Sequence, residues 1–168
     1  MMDLRKIGLQ RGVGMLEVLI ALLVLAVGAL GFAGVQMVAM QKSEDANYRS
    51  TAMLIAQDAV ERIQANPSEL ADYLSDDPVE TPEDVPDQTC SNDCDISALD
   101  LSQLAWAASR GLPNGQIKID DCEFNGLTCV VVNWGGRAAG GNGIDDCMND
   151  DGINLSEDAN CLVLEFSR

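Results

Sequence analysis

Residues 141–158 read GNGIDDCMNDDGINLSED and concentrate hard oxygen donors: Asp145, Asp146, Asn149, Asp150, Asp151, Glu157 and Asp158. Calcium takes roughly six to eight oxygen ligands, often from a short acidic loop, and Gly152 supplies the sharp turn such a loop needs. A structural calcium ion held by Asp145, Asp146, Asn149 and Asp151 is one expectation. The EF-hand register does not fit, because placing Gly152 at the loop's invariant glycine puts Cys147 in the first ligand position and Asp158 in the last. The competing expectation is a solvated acidic loop that binds no cofactor and is tied at its base by Cys147 and Cys161.

The six cysteines fall at 90, 94, 122, 129, 147 and 161, all in the C-terminal two thirds of the chain. A zinc site is disfavoured, since the chain has neither a C-x-x-C pair nor any His. A disulfide framework in an oxidising compartment remains, and spacing alone leaves its connectivity open. One pair has a geometric argument. In CEFNGLTC, Asn125-Gly126 is a strong two-residue hairpin signal, which sets Phe124 opposite Leu127 and Cys122 opposite Cys129. Opposed strand residues lie about 4.5–5.5 Å apart at Cα, within disulfide reach. Cys122–Cys129 is therefore expected, followed by Cys147–Cys161 and Cys90–Cys94.

Catalysis finds little support. Without His there is no Ser-His or Cys-His nucleophile pair. The glycine run GGRAAGGNG, 135–143, has neither the Lys-Ser/Thr nor the helix of a phosphate loop and reads as a flexible loop. No acid/base motif is recognisable among the carboxylates, and no enzymatic activity is expected. The formal charge of −17 argues against direct binding of nucleic acid, which depends on Lys and Arg neutralising phosphates. It suits a domain kept soluble after export.

Glu17 is isolated from the other acids. It is the one charge between Met15 and Met40, at the head of VLIALLVLAVGALGFAGV, residues 18–35. A helix crossing the hydrocarbon core needs about 20 mostly apolar residues, so this stretch reads as a membrane span. Arg5, Lys6 and Arg11 precede it while Glu44 and Asp45 follow, which predicts a cytoplasmic N-terminus. A secretory signal fits badly, because the run is longer than about 7–15 residues and passes straight into a polar helical pattern. A carboxylate inside the bilayer costs a few kcal/mol and is ordinarily paired and functional. At the interface, near Arg11, it is cheaper, and the two readings compete on charge alone. Gly28, Gly31 and Gly34 lie three apart on the same helix, where small residues allow close helix contact or are simply tolerated.

Gly12, four residues, Glu17 and then a long apolar helix resemble the leader and helix of type IV pilins and pseudopilins. The stretch MLEVLIALLVLAVGALGFAGVQ is most similar to minor pilins of the PilV type, the type IV pilus modification proteins. The resemblance implies that a prepilin peptidase cuts between Gly12 and Val13 and methylates the new amine on Val13. The residue in this position is most often Phe in the family; here it is Val13. Glu17 then becomes the fifth residue of the processed chain. In a filament its carboxylate can meet the amine of a neighbouring chain, and pairing is what makes a buried charge tolerable.

The elements that position these residues follow from periodicity. Gln41 to Ala65 has no Pro or Gly, and Tyr48, Ala52, Ile55, Ala59 and Ile63 form a helical apolar stripe, a core face. Asp45 with Arg49 and Asp58 with Arg62 are spaced for ion pairs. One helix is expected from Val13 to Ala65, ended by Asn66-Pro67. Ser68 to Thr89, acidic and Pro-rich, reads as a loop. Ile96 to Arg110 reads as a helix, stopped by Gly111 and Pro113. QIKID (116–120), CVVVNW (129–134) and CLVLEF (161–166) read as strands. The fold class is α+β: a long N-terminal helix packed on a small antiparallel sheet. Leu112, Pro113 and Gly115, followed by strands closing on Trp134, match the LPxG turn of PilV-type proteins.

The expected organisation is a cleaved cytoplasmic leader (1–12), a transmembrane and filament-core helix (13–40) and a periplasmic pilin-like domain with acidic loops (41–168). The resemblance implies a minor pilin, held in the inner membrane as a single-pass protein and then carried into the pilus fibre at the cell surface. Its partners would be major and minor pilins, prepilin peptidase and the inner-membrane assembly platform, in support of pilus assembly, adhesion and twitching. The alternatives are a minor pseudopilin of a type II secretion system and a membrane-anchored calcium-binding or adhesive module that never polymerises.

Overall fold

In a computed structural model the described residues are 14–75, 77–87, 95–122, 124–135, 143–149, 151–154 and 159–167. The chain divides into two units, 1–44 and 45–168, and one helix, α1 (Met15–Ala65), contributes to both. It ends where Pro67 restricts the preceding residue, and its last turn closes on Asn66, whose N–H donates to the carbonyls of Arg62 and Ile63.

In the unit 45–168, Ala52, Ile55, Ala56, Ala59 and Ile63 of α1 are buried. Three of these five are alanines, which lets neighbouring elements come close. A further helix, α3 (Ile96–Gly111), contributes Leu104, Ala105 and Ala108 to the same core. Asp95 caps α3, its Oδ1 accepting from the Ala98 N–H at 3.2 Å and the Ser97 hydroxyl at 2.6 Å. These hydrogen bonds, Ser97 first and then Ala98, hold the Asp95 carboxyl below its ordinary range. Gly111 leaves room for Thr51: a Cβ there would stand 3.0 Å from the threonine methyl.

The segment after α1 departs from the expected loop. Pro67–Glu69 form a 3-10 turn and Leu70–Tyr73 a short helix, α2. Pro is well placed at the first helical position, and Leu70 and Tyr73, three apart, share one helical face. Tyr73 is completely buried, and Leu70 and Leu74 pack beside it.

Three antiparallel strands form the main sheet: β1 (Gln116–Asp121), β2 (Thr128–Asn133) and β5 (Cys161–Phe166), in the order β1-β2-β5. A two-stranded ribbon, β3 (Met148–Asn149) with β4 (Gly152–Ile153), follows a 3-10 turn at Ile144–Cys147. All of β2 is buried. Its side chains alternate between faces, as strand geometry requires. Val130 and Val132 join the helical core with Ile117, Ile119 and Trp134. Cys129 and Val131 face a second cluster with Ile144, Cys147, Met148, Ala159 and Cys161. The continuous apolar run CVVVNW thus reflects a central strand covered on both sides.

Between α3 and β1 the chain reverses through Leu112-Pro113-Asn114-Gly115. The Gly115 N–H donates to the Leu112 carbonyl at 3.2 Å, with Pro113 second in the turn and Asn114 third at φ 50°. Gly115 is sterically required, since an added Cβ would collide with the Ala108 carbonyl.

The β1–β2 register corrects the hairpin expectation. Asp120 pairs with Cys129 and Asp121 with Thr128, so Cys122 lies beyond the ladder and is not opposite Cys129. The connection takes in residues 122–127. Asn125 Oδ1 accepts from the Leu127 N–H at 3.0 Å, and the Gly126 N–H, at a residue with φ 71°, donates to the Cys122 carbonyl. The Asn side chain closes the turn locally, so a wider loop replaces the two-residue one.

Candidate functional site

In the unit 1–44 the described residues begin with Gly14, just before α1, and its carbonyl accepts from the N–H groups of Glu17 and Val18 at 2.9 and 3.3 Å. Glu17 is thus a first-turn carboxylate on an exposed surface. Behind it the large apolar side chains from Met15 to Met40 are all exposed, from 47 % at Val18 to 87 % at Met15. An 18-residue window of this helix has a mean hydropathy of 2.7 and none of it is buried. Such a surface is long and apolar enough to cross a membrane. At about 25 cal/mol per Å² it is strongly driven to leave water, into lipid or against other protein. Gly12 and Val13, the expected cleavage and methylation residues, lie outside the described residues.

The expected pairing of Asp58 with Arg62 is present at 3.0 Å. Arg49 behaves otherwise. Its guanidinium lies over the Trp134 ring, 5.6 Å from the centroid, and donates to the Ala159 carbonyl at 3.4 Å, where the sequence spacing had assigned it to Asp45. A delocalised cation on an indole face near a buried carbonyl is better placed than one in an exposed ion pair.

Arg62 also reaches α3. Its Nη1 donates to Asp100 Oδ1 at 2.7 Å and to Gln103 Oε1 at 2.8 Å, and the Tyr73 hydroxyl donates to Asp100 Oδ2 at 2.6 Å. Sequence reading missed this buried polar junction of α1, α2 and α3. A lone Asp within the apolar pattern of α3 was the signal that could have found it. Burial, then the hydrogen bond to Asp100, pushes the Tyr73 hydroxyl well above its ordinary range.

At the other face of the sheet two disulfides join Cys122 to Cys129 and Cys147 to Cys161, with Cα separations of 5.1 and 5.6 Å. Cys90 and Cys94 lie outside the described residues. The acidic segment is built around the second bridge. Asp146 Oδ2 accepts from the Gly143 N–H at 3.0 Å, and the Asp146 carbonyl accepts from the Asn154 amide at 3.1 Å. Asp145 lies 3.7 Å from Lys118 Nζ, which also meets Asp120 at 3.1 Å. Among the described residues no three His, Cys, Asp or Glu side chains converge as a metal site. Asp151 is exposed on the β3–β4 turn, and Asn149 forms part of β3.

Residues 34–105 match the model of a family described as Tt1218-like, type IV pilin Tt1218. The match runs from the last glycine of the apolar helix through α2 and into α3. It excludes Gly12 and Glu17, and so is independent of the N-terminal pattern. No curated protein and no solved structure matches the chain. Over the matched residues the chain is similar to type IV pilins, and its α+β fold, a long N-terminal helix with a small antiparallel sheet, is consistent with theirs.

Proposed function

We propose that this chain is a minor type IV pilin of the PilV type. The observation that carries the reading is the bare apolar helix from Met15 to Met40 with Glu17 in its first turn, continuous with the helix of a disulfide-bonded acidic domain. Prepilin peptidase cleaves after Gly12 and methylates the amine of Val13. The helix holds the protein in the inner membrane, N-terminus inward, until it enters the filament. There Glu17 neutralises the amine of a neighbouring pilin, and the apolar helix exchanges lipid for other helices. A paired carboxylate in that setting is tolerated where an unpaired one costs several kcal/mol. The domain, with its net negative charge, faces outward, and the protein supports pilus assembly, adhesion and twitching.

Glu17→Gln tests the role of the charge. The variant should accumulate in the inner membrane at the parental level and be absent from sheared pili. Parental amounts in the pili would contradict the pairing role. Deletion that abolished enzyme secretion while leaving pili intact would favour a pseudopilin of a type II secretion system.

A further inference from the structure

The two edges of the main sheet are treated differently. Along β1, Ser75 N–H donates to the Ile119 carbonyl and Val79 N–H to the Ile117 carbonyl, both at 2.9 Å. Ser75 and Val79 therefore cover that edge, and Lys118 stands in the same strand. These are two ordinary ways of protecting an edge from foreign strands.

Among the described residues the β5 edge has no such backbone cover, and its one charged side chain is Glu165. The Trp134 N–H donates to the Asn160 carbonyl, and β2 and β5 pair as Val132 with Leu162 and Val130 with Leu164. Antiparallel alternation then turns the backbone groups of Leu162, Leu164 and Phe166 toward β2, and those of Val163 and Glu165 away from the sheet. The same rule applied to β1 turns Ile117 and Ile119 outward, and those are the residues that Ser75 and Val79 contact. Among the described residues no backbone hydrogen bond reaches Val163 or Glu165 from outside. Leu162, Val163, Leu164 and Phe166 are only partly buried, whereas every residue of β2 is buried. Beside the end of β5 lies an apolar groove of about 400 Å³ lined by Ile63, Pro67, Leu70 and Phe166.

We propose that β5 is a docking edge for an extended segment of a different polypeptide with alternating apolar and basic side chains. The pattern comes from the two faces of β5. Leu162, Leu164 and Phe166 lie on the helical side, continuous with the groove, so the incoming strand presents apolar side chains there. Glu165 lies on the other side, exposed and engaged by the Asn125 amide at 2.7 Å, so a Lys or Arg of the incoming strand meets it. A second copy of this chain is disfavoured by its formal charge of −17. Main-chain hydrogen bonds to Val163 and Glu165 provide affinity, and the groove and Glu165 provide selectivity.

The test uses the full chain in non-ionic detergent and a synthetic heptapeptide of alternating Lys and Leu, read by amide hydrogen exchange at single residues. The peptide should slow exchange at Val163 and Glu165 by about tenfold or more and leave Leu162, Leu164 and Phe166 unchanged. Val163→Pro removes an outward N–H and spares the β2 ladder, and should abolish the effect. Retained protection at Leu162 and Leu164 would show that this variant is folded. Glu165→Lys keeps the whole backbone and should weaken peptide binding by about tenfold or more, as should replacing every Lys of the peptide by Glu. Unslowed exchange at Val163 and Glu165, equal binding to the Glu peptide or to Glu165→Lys, or protection of these amides by self-association alone would each overturn the proposal. None of these readouts depends on cleavage at Gly12, so the filament reading stands or falls separately.

Discussion

The Tyr73 hydroxyl donates to Asp100 Oδ2 at 2.6 Å, and the other oxygen of the same carboxylate takes Arg62 Nη1 at 2.7 Å. One buried carboxylate thus locks three helices together. A hydrogen bond to a charged group contributes about 1.5–3 kcal/mol. Tyr73→Phe should cost about that much, measured by denaturant unfolding. Asp100→Ala should cost more, because it takes the acceptor from Tyr73 and one of three acceptors from Arg62.

The same pair sets an alkaline limit. Burial and the Asp100 carboxylate raise the Tyr73 pKa in the folded chain. A raised folded pKa gives stability that is complete below the unfolded value of about 10 and is lost as pH rises beyond it. Melting temperature should therefore fall above about pH 10, and less steeply in Tyr73→Phe. An unchanged alkaline slope in that variant would remove Tyr73 as the cause.

Gly115→Ala tests the turn that delivers β1 to the sheet. The new Cβ would meet the Ala108 carbonyl, a backbone atom that cannot swing aside. Overpacking of this kind costs about 1–3 kcal/mol. Gly126→Ala meets no atom within 4 Å and carries only the strain of φ 71°, so it should be the milder of the two by thermal melting.

Reduction should loosen the outer face of the sheet before its helical face. The Cys147–Cys161 bridge spans 14 residues and Cys122–Cys129 spans 7. By loop length these contribute roughly 3 and 2.5 kcal/mol. Cys147→Ser with Cys161→Ser should expose Val131 and Met148 to solvent, seen as faster exchange in β2, while α3 stays protected.

Calcium at millimolar concentration should leave the melting temperature unchanged. Asp146 already accepts from Gly143, and Asp145 faces Lys118. A rise of several degrees would favour the calcium expectation at Asp145, Asp146, Asn149 and Asp151 instead.

Much of this architecture is legible in sequence because its signals are local. Asn66-Pro67 marks the end of α1, Gly111-Leu112-Pro113 the end of α3, and the valine run of β2 its burial on both faces. Of the parts that were missed, the loop at Asn125 is a local matter and the others depend on contacts distant in sequence. Asn125-Gly126 suggested a tight hairpin, yet the Asn125 side chain closed a wider loop, moving Cys122 off the ladder while keeping it within reach of Cys129. Arg49 had an acid four residues before it and went to Trp134 instead, a partner 85 positions away in the chain. Nothing local announced that Ser75 and Val79 would cover β1 while no described residue covers β5, because edge assignment is decided only when the sheet is assembled.

The most direct measurement of the central claim is the mass of the N-terminal peptide of the protein from cells with and without prepilin peptidase. The account predicts a chain beginning at N-methylated Val13 when the peptidase is present, and an uncleaved chain when it is absent. A chain that begins at Met1 or Met2 under both conditions would contradict it. Glu17 would then have no neighbouring Val13 amine to pair with, and the exposed helix would be a membrane anchor alone.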